Sequence, residues 1–581
     1  MIYTNNYNIN EETIKDNEIY DICIIGAGQS GITTCKTFLE ANKKIIVLEK
    51  CENSNGMFSH IKEKDLFKWS SSKYVSGFSD FPIDKTYDTW FTIQNYIDYL
   101  NNYKTQFGLD KYIKYGACVK KCDQNKDEDW IVNYTVNNNN VKLLSKKLIV
   151  CTGLNNYQKF PSIVDNFAGK IYHTQDVYYM DKYEWKNNFY GKKILLIGGA
   201  ESAFDIGHVL VKNNSDLYFT TKNYIEWFPP GNDTEENIKR AKKIDNDSLS
   251  LTTMLNISGK ETTDMNLNYI EYSLPEPMSA IWHEYARVIL YIPYKIITGD
   301  FSNGQAICNH SHVKLCSINE TPNNVFKKYV VKRTEFLLDI HENKVKIIKF
   351  PKKIEGRLVE YENNLINDVD IIICATGYKK KFPFLDAKYT EGEYIKKMIP
   401  KNTNNLAFIG FARPTMGSIA AIAEMQSWWV NEYFYNNLNY QIRQPFFRNI
   451  DPLNLDNEHI NTLVIGCFYL KDLAKDMNLE PNMSYLLFTN FELFTTILCN
   501  SCHPMMYRIH GKKRTPESEK ILLDTWPSFE NKTGNMKLYL LFFVILHIIY
   551  YLILFIVLYL LFKYLNPVKY IHKVKKIYMN K

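Results

Sequence analysis

The stretch Asp21-Ile22-Cys23-Ile24-Ile25-Gly26-Ala27-Gly28-Gln29-Ser30-Gly31 restricts this chain more than any other. A short Ile-rich apolar run passes into Gly-x-Gly-x-x-Gly, and a helix is predicted from Ile32 to Ala41. The pattern calls for a buried strand that turns tightly into a helix whose first amides meet a pyrophosphate. Gly26 permits the turn, Gly28 lets backbone approach phosphate, and Gly31 lets helix pack on strand. A second apolar run, Lys44-Ile45-Ile46-Val47-Leu48-Glu49, ends in a carboxylate about twenty residues beyond the glycines, placed to bond a ribose diol. Glu49 would repel a 2′-phosphate, so the site takes FAD or NAD rather than NADP.

The same pattern returns in mid-chain. The predicted strand Gly191 to Ile197 leads to Gly198-Gly199-Ala200-Glu201-Ser202-Ala203, and a helix is predicted from Phe204 to Val211. Ala203 at the third glycine position is an accepted variant for helix packing, whereas Ala200 adds a methyl where backbone nears phosphate. The next strand, Asp216 to Thr220, ends in Thr221-Lys222 rather than a carboxylate, and a cation beside a hydroxyl suits the 2′-phosphate of NADPH. Two sites of opposite charge imply FAD in one and NADPH in the other.

Further apolar runs end in glycine turns. Lys147 to Gly153 reads as a buried strand entering such a turn, as does Val369 to Tyr378 with Thr376 and Gly377. Asn405 to Gly417 precedes a helix predicted from Ser418 to Phe434, so the turn carrying Gly410 and Gly417 is a place for backbone amides to meet a flavin edge or phosphate. Gln94 to Phe107 is helix-like, and the run Asn137 to Asn140 reads as a solvated loop. Residues Glu226 to Asn324 carry mixed helical and irregular signals, and the spacing of His283, His310 and His312 matches no metal site.

A chain of 581 residues is too long for one core. A net charge of +7 over that length argues for a membrane surface more than for nucleic acid, because much of it sits near the C-terminus. The twelve cysteines are scattered, several within predicted buried strands, which suits packed, reduced thiols. Cys499-Asn-Ser-Cys502 followed by His503 is a lone CxxC without the second ligand pair a metal site needs. Residues Met1 to Asn17 lack the apolar core of a signal peptide, while Leu538 to Phe562 is apolar or Tyr at every position but His547, long enough to cross a bilayer. The lysines that follow it, from Lys563 to Lys581, favour a cytosolic tail by the positive-inside bias. The missing signal favours cytosolic domains with a tail anchor or a helix embedded from one side. Both topologies stay open.

Taken in order from about Tyr20 to Asn436, these motifs resemble the NADPH-dependent flavin-containing monooxygenases, and the apolar C-terminus resembles that of the microsomal members. Its specific elements are the first glycine fingerprint with Glu49, Phe78-Ser-Asp-Phe-Pro82, Ala375-Thr-Gly-Tyr378, and Asn405 to Trp428. Phe167-Ala-Gly169-Lys-Ile-Tyr-His173 resembles the family's identifying F-x-G-x-x-x-H. The chain departs from the pattern at Val177, where an aromatic is expected and Tyr178 follows one residue late. It also departs at Asn55-Gly56-Met57-Phe58, where paired glycine and Trp are expected, and at Ser70, which stands for the family's active-site Asn ahead of Ser-x-Lys73.

The resemblance implies an α/β fold with two Rossmann-like dinucleotide-binding domains. An FAD-binding domain would be split over 18–165 and 372–450. An NADPH domain would occupy 166–371 with a helical insertion near 226–324, followed by an extension at 451–537 and a membrane helix at 538–562. FAD would bind at the first site and NADPH at Gly198, Gly199, Ser202, Thr221 and Lys222. The implied chemistry runs through reduced flavin that captures O2 as a hydroperoxide, with oxygen passing to a soft amine nitrogen or sulfide sulfur. The implied location is the endoplasmic reticulum membrane, with the catalytic domains facing the cytosol. Two other outcomes fit the residues: an uncoupled NADPH oxidase releasing hydrogen peroxide, and a non-catalytic flavoprotein scaffold.

Overall fold

The computed structural model describes residues 19–222, 224–227, 328–331, 333–414, 417–441, 462–464, 466–498 and 500–526, with parts of 545–560. The predicted insertion at 226–324, apart from its first two residues, and most of the predicted membrane segment lie outside the described residues.

Strand β1 (Ile19–Ile25) turns into helix α1 (Gln29–Glu40) and returns as β2 (Ile45–Leu48). Helix α2 (Ile93–Gln106) starts at Thr92, whose side chain and Asn95 cap one another's backbone amides. Short β3 (Ile113–Lys114) extends the sheet beyond β2. Then β4 (Cys118–Gln124), β5 (Trp130–Val136) and β6 (Asn139–Val150) form an antiparallel meander. The sheet runs β3-β2-β1-β6-β5-β4, with β1 parallel to both β2 and β6. β2 is buried along its whole length, as a strand covered on both faces should be.

The second sheet is built from β7 (Lys170–His173), β8 (Lys193–Ile197), β9 (Asp216–Thr220), β10 (Val345–Ile347) and β11 (Ile371–Cys374). Helix α3 (Glu201–Lys212) joins β8 to β9, and the order is β10-β9-β8-β11-β7, all parallel. The chain then re-enters the first sheet. β12 (Leu406–Phe408) lies parallel to the last residues of β6, and α4 (Ile419–Tyr435) packs on α1, where Thr34 Oγ1 meets Ser427 Oγ at 2.9 Å. The two crossings between sheets pair with each other, Tyr157–Gln158 running antiparallel to Tyr378–Lys379.

Several local expectations shift. Helices α1 and α3 begin at Gln29 and Glu201, three residues before the predicted starts, because the last glycine-position residue of each motif sits inside the first helical turn. The asparagine run is solvated throughout, but only its first half is loop. Asn137 and Asn138 take left-handed φ of 48° and 64° in a two-residue hairpin turn, and Asn139 and Asn140 already belong to β6. β11 ends at Cys374 and runs into the predicted glycine turn, where Gly377 has φ 76°.

Among the described residues no helix is long and apolar enough to cross a membrane, so the predicted C-terminal spanning helix is not part of the described fold. Of its 538–562 run, residues 552–560 are described as helical, and their side chains are exposed.

Candidate functional site

The first glycine turn is closed by backbone from distant segments. Gly26 N–H donates to Leu48 O at 2.8 Å, and Cys151 N–H donates to Ile25 O at 2.8 Å. Gly26 has φ 99°, and a Cβ there would stand 2.8 Å from Cys151 O. A Cβ at Gly31 would lie 1.9 Å from Gly26 O, so a side chain is excluded. A Cβ on Gly28 would face Gly56 Cα at 3.6 Å, which places the Asn55–Gly56 turn opposite the phosphate-facing glycine. Gly410, at φ 85°, packs so closely on Ser30 that a Cβ would reach its Oγ at 2.1 Å. The third predicted segment therefore does meet the first turn.

Glu49 is buried, and both carboxylate oxygens accept backbone amides: Oε2 from Ala27 N at 2.7 Å and Oε1 from Cys51 N at 2.9 Å. The acid fixes the glycine turn while standing at the strand end, where a ribose would lie. Asn55 Oδ1 is buried without a protein partner among the described residues. A side-chain-free cradle plus an orphaned acceptor fits a bound dinucleotide.

The second turn repeats this frame. Gly198 N–H donates to Thr220 O at 2.9 Å and Ala375 N–H to Ile197 O at 2.7 Å. Gly198 has φ 124°, and a Cβ there would sit 2.2 Å from Ala375 O. Ala200, before α3, has φ −94° and ψ −176°, nearly the geometry of Gly28 at −71° and −173°. The substitution from glycine therefore costs no backbone strain. Gly199 is buried beside it, and Ser202 meets the Tyr178 hydroxyl. Thr221 is buried at the end of β9, and Lys222 is exposed with its Nζ 4.5 Å above the Phe350 ring. Thr220 Oγ1 is buried without a protein partner among the described residues. This end of β9 fits a phosphorylated ribose.

The linker between the sheets is clamped by His173. Its Nδ1 accepts from Gln175 N at 3.2 Å, which leaves Nε2–H to donate to Gly377 O at 2.9 Å. Asp176 accepts from His173 N at 2.7 Å and from Gln158 Nε2 at 2.7 Å. Thr376 Oγ1 donates to Lys159 O. Burial holds the His173 imidazole below its ordinary value, against the bond to Gly377, so it acts as a neutral clamp. Val177 is buried in the hydrophobic cluster around the second sheet, and Tyr178 reaches Asp205 and Phe67 instead.

Ser70 is exposed and held from both sides. Before it, Lys68 O accepts from Arg333 Nη2, and Trp69 N–H donates to Phe91 O at 2.8 Å. After it, Ser71 Oγ donates to Gly417 O at 2.8 Å, so Gly417 serves Ser71. The Trp69 ring lies 4.1 Å from Tyr96 and 4.8 Å from Phe58, and Tyr96 OH reaches Gln29 Oε1 at 2.6 Å. That chain of contacts carries the Ser70 segment to the first turn. The next residues, Ser79 and Asp80, are pinned by a buried ionic cluster. Ser79 N donates to Glu424 Oε2 at 2.9 Å, and Asp80 pairs with Arg508 at 2.9 Å and Lys36 at 2.6 Å. Burial alone would raise the Asp80 carboxyl, but Arg508 and Lys36 outweigh it and hold it near 2.

Sequence reasoning missed Glu424, Arg508, Arg333, Asp205 and the clamp role of His173. A Glu amid the apolar first turns of α4 was a usable signal for Glu424; Arg508 carried none. His503 spends both ring nitrogens on protein, accepting from Met505 N at 3.2 Å and donating to Gly77 O at 3.0 Å. Cys499 lies outside the described residues, and no metal-holding cluster occurs among the described ones.

Two Rossmann-type sheets, with turns of opposite charge and a buried linker clamp, define a two-dinucleotide flavoprotein. The chain belongs to the flavin-binding monooxygenase-like family, whose model matches residues 20–228 and 308–563. It is a flavin-dependent monooxygenase that uses FAD and NADPH. It is 25% identical over 521 residues to a 4-hydroxybenzoate brominase (decarboxylating) of Marinomonas mediterranea, covering 87% of this chain and 93% of that protein. It is 23% identical over 552 residues to rat flavin-containing monooxygenase 5, covering 87% and 91%. Among solved structures it resembles the S-allyl-L-cysteine S-oxygenase of Allium sativum, with TM-score 0.51, 13% identity and coverage of 88% and 98%. It also resembles a cyclohexanone monooxygenase bound to ε-caprolactone, with TM-score 0.50, 15% identity and coverage of 71% and 87%.

Proposed function

We propose that this protein transfers one atom of O2 to a soft nucleophilic nitrogen or sulfur of a small molecule. FAD would be held by residues of 18–165 and 372–450, and NADPH by residues of 166–371. The observation that carries the reading is Ser70, exposed and held between Arg333 of the nucleotide domain and Gly417 beside α4. Its segment, Trp69-Ser70-Ser71-Ser72, offers a ring and hydroxyls rather than an acid–base pair. An amine or sulfide lone pair needs no base to free it, so such a site suits those nucleophiles. Bound FAD, reduced by NADPH, supplies the electrons that activate O2; the chain itself binds, orients and excludes water. Gly26, Gly28, Gly31, Glu49 and Gly410 would hold the flavin nucleotide. Gly198, Gly199, Ser202, Thr221 and Lys222 would hold NADPH. Ser70 would hydrogen-bond at the reacting face, and Thr376, Gly377 and Gly417 would fix the segments around it.

The test is stoichiometry on the purified FAD-loaded protein with NADPH. Amines, sulfides and a phenol carboxylate with bromide form the panel, because one relative is a brominase. Labelled O2 should place one labelled atom in an N-oxide or S-oxide with little peroxide. Near-total peroxide release with every substrate would make it an oxidase, and protein that binds no FAD would make it a scaffold.

The same reading includes a membrane tether formed by 538–562 in the endoplasmic reticulum, with the catalytic domains cytosolic. The exposed apolar residues at 552–560 support it, as does the exposed Phe488 and Phe491 pair. Flotation of the full chain with liposomes, lost on deleting 538–562, tests the tether. Fluorescence microscopy of the tagged full chain tests the compartment.

A further inference from the structure

We propose that Tyr178, Asp205 and Arg333 form a positioning relay. It transmits occupancy of the second nucleotide turn to the Ser70 segment of the flavin domain. The inference rests on the oxygen-transfer reading above.

The relay is continuous. The Tyr178 hydroxyl donates to Asp205 Oδ2 at 2.8 Å and meets Ser202 in the first turn of α3. Arg333 Nε sits 2.7 Å from Asp205 Oδ1, and its Nη2 donates to Lys68 O, two residues before Ser70. Asp205 is one helical turn beyond Glu201, so the relay starts on the α3 face that opens at the glycine turn. Tyr178 also grips the flavin-side segment directly. Its ring lies edge-on to Phe67 at 4.7 Å, and its carbonyl accepts from Lys62 N at 3.1 Å. Lys182 N donates to Glu63 Oε1 at 3.0 Å beside it.

Burial raises the Tyr178 hydroxyl, and the Asp205 charge raises it further, so it stays protonated and donates. Burial also raises the Asp205 carboxyl, but Arg333 opposes that, and the 2.7 Å contact fits an ion pair. A planar guanidinium whose Nε is ion-paired with Asp205 and whose Nη2 donates to Lys68 O ties the two residues together. A dinucleotide phosphate at the α3 turn would change the field at Ser202 and Asp205, and Arg333, paired with Asp205, carries that change to Lys68 O. The aromatic placed one residue late, at Tyr178 instead of Val177, makes the relay possible: Val177 faces the core while Tyr178 faces Asp205 and Phe67.

The test is Tyr178→Phe, which keeps the ring on Phe67 and removes one hydroxyl. Amide hydrogen exchange is followed on the FAD-loaded full chain with and without NADP⁺. In the native protein, NADP⁺ should slow exchange at residues 62–71 and at β8. In Tyr178→Phe, protection at 62–71 should be lost while β8 protection and NADP⁺ affinity stay within about twofold, and peroxide released per NADPH should rise about fivefold. Unchanged protection and peroxide overturn the relay. Joint loss of protection and NADP⁺ affinity overturns it as well, because the role would then be structural. Should Tyr178→Phe fail to fold, Arg333→Lys keeps the pairing with Asp205, loses the second arm to Lys68, and is read the same way. Native protein that shows the coupled exchange but yields no oxygenated product would defeat the functional reading and leave the relay standing.

Discussion

The two glycine turns share one backbone frame and differ in almost everything that touches it. In each, the first glycine donates to the end of the next strand, and the residue after a second parallel strand donates back to the first. Gly153 and Gly377 end the flanking strands with φ of 79° and 76°. The first turn is closed by two further segments, at Gly56 and Gly410, and its third glycine tolerates no Cβ. The second carries Ala203 in that place and ends its strand in Lys222 on an aromatic ring. On the proposed reading, the frame lets a dinucleotide bind, and the strand-end charge and the closing segments select which one.

Breaking the frame should cost most. Gly31→Ala puts a methyl 1.9 Å from Gly26 O, whereas Ala203 already carries its Cβ at the matching place. We expect a loss of about 3 kcal/mol or more and protein that purifies without FAD, read from the flavin-to-protein absorbance ratio. Ala203→Gly should leave both cofactors bound.

Glu49→Gln tests the charge at the first strand end. It weakens the acceptor for Ala27 and Cys51 amides and the ribose-binding charge together. A charge-assisted bond contributes about 1.5–3 kcal/mol, so FAD affinity should fall at least about tenfold while NADP⁺ affinity holds. Equilibrium dialysis would read both.

Lys222→Ala removes the opposite charge from an exposed place. The expected effect is about tenfold in the NADPH-to-NADH preference at unchanged FAD content, read from KM with each nucleotide. A preference that does not move would separate the second turn from 2′-phosphate recognition.

Acid should separate the turns more gently, because a proton on the His173 Nδ1 displaces the bond it accepts from Gln175 N, while Nε2–H keeps its bond to Gly377 O. The folded-state value of His173 is depressed, so its contribution is present above about pH 6.5 and is lost as pH falls toward that depressed value. NADP⁺ affinity should weaken over that window and FAD content should not, with His173→Asn flattening the slope. Smallest of all should be Ala200→Gly, within about twofold in KM for NADPH, since the two residues share one extended conformation.

The relay and the ionic cluster show where sequence reading stopped. Arg508 lies 428 residues from Asp80 in the chain yet pairs with it, and nothing periodic announces that contact. Ser70 was legible as a departure from a motif, but its bracketing by Arg333 and Gly417 spans 265 and 346 residues. His173 was legible as the end of an identifying stretch, though its task appeared only when Gly377 was found above it.

The sequence by itself determined both strand–turn–helix units and the sign of the charge at each strand end. Those follow from local sterics, since only glycine fits φ near +100° against a carbonyl, and from the residue that ends each apolar run. Tertiary structure decided which strands adjoin, why β12 returns to β6 after the whole second sheet, and what brackets Ser70. Parallel strands cannot be joined by a tight turn, so their partners are set by crossovers and packing over hundreds of residues, and hydrophobic periodicity carries no record of that choice.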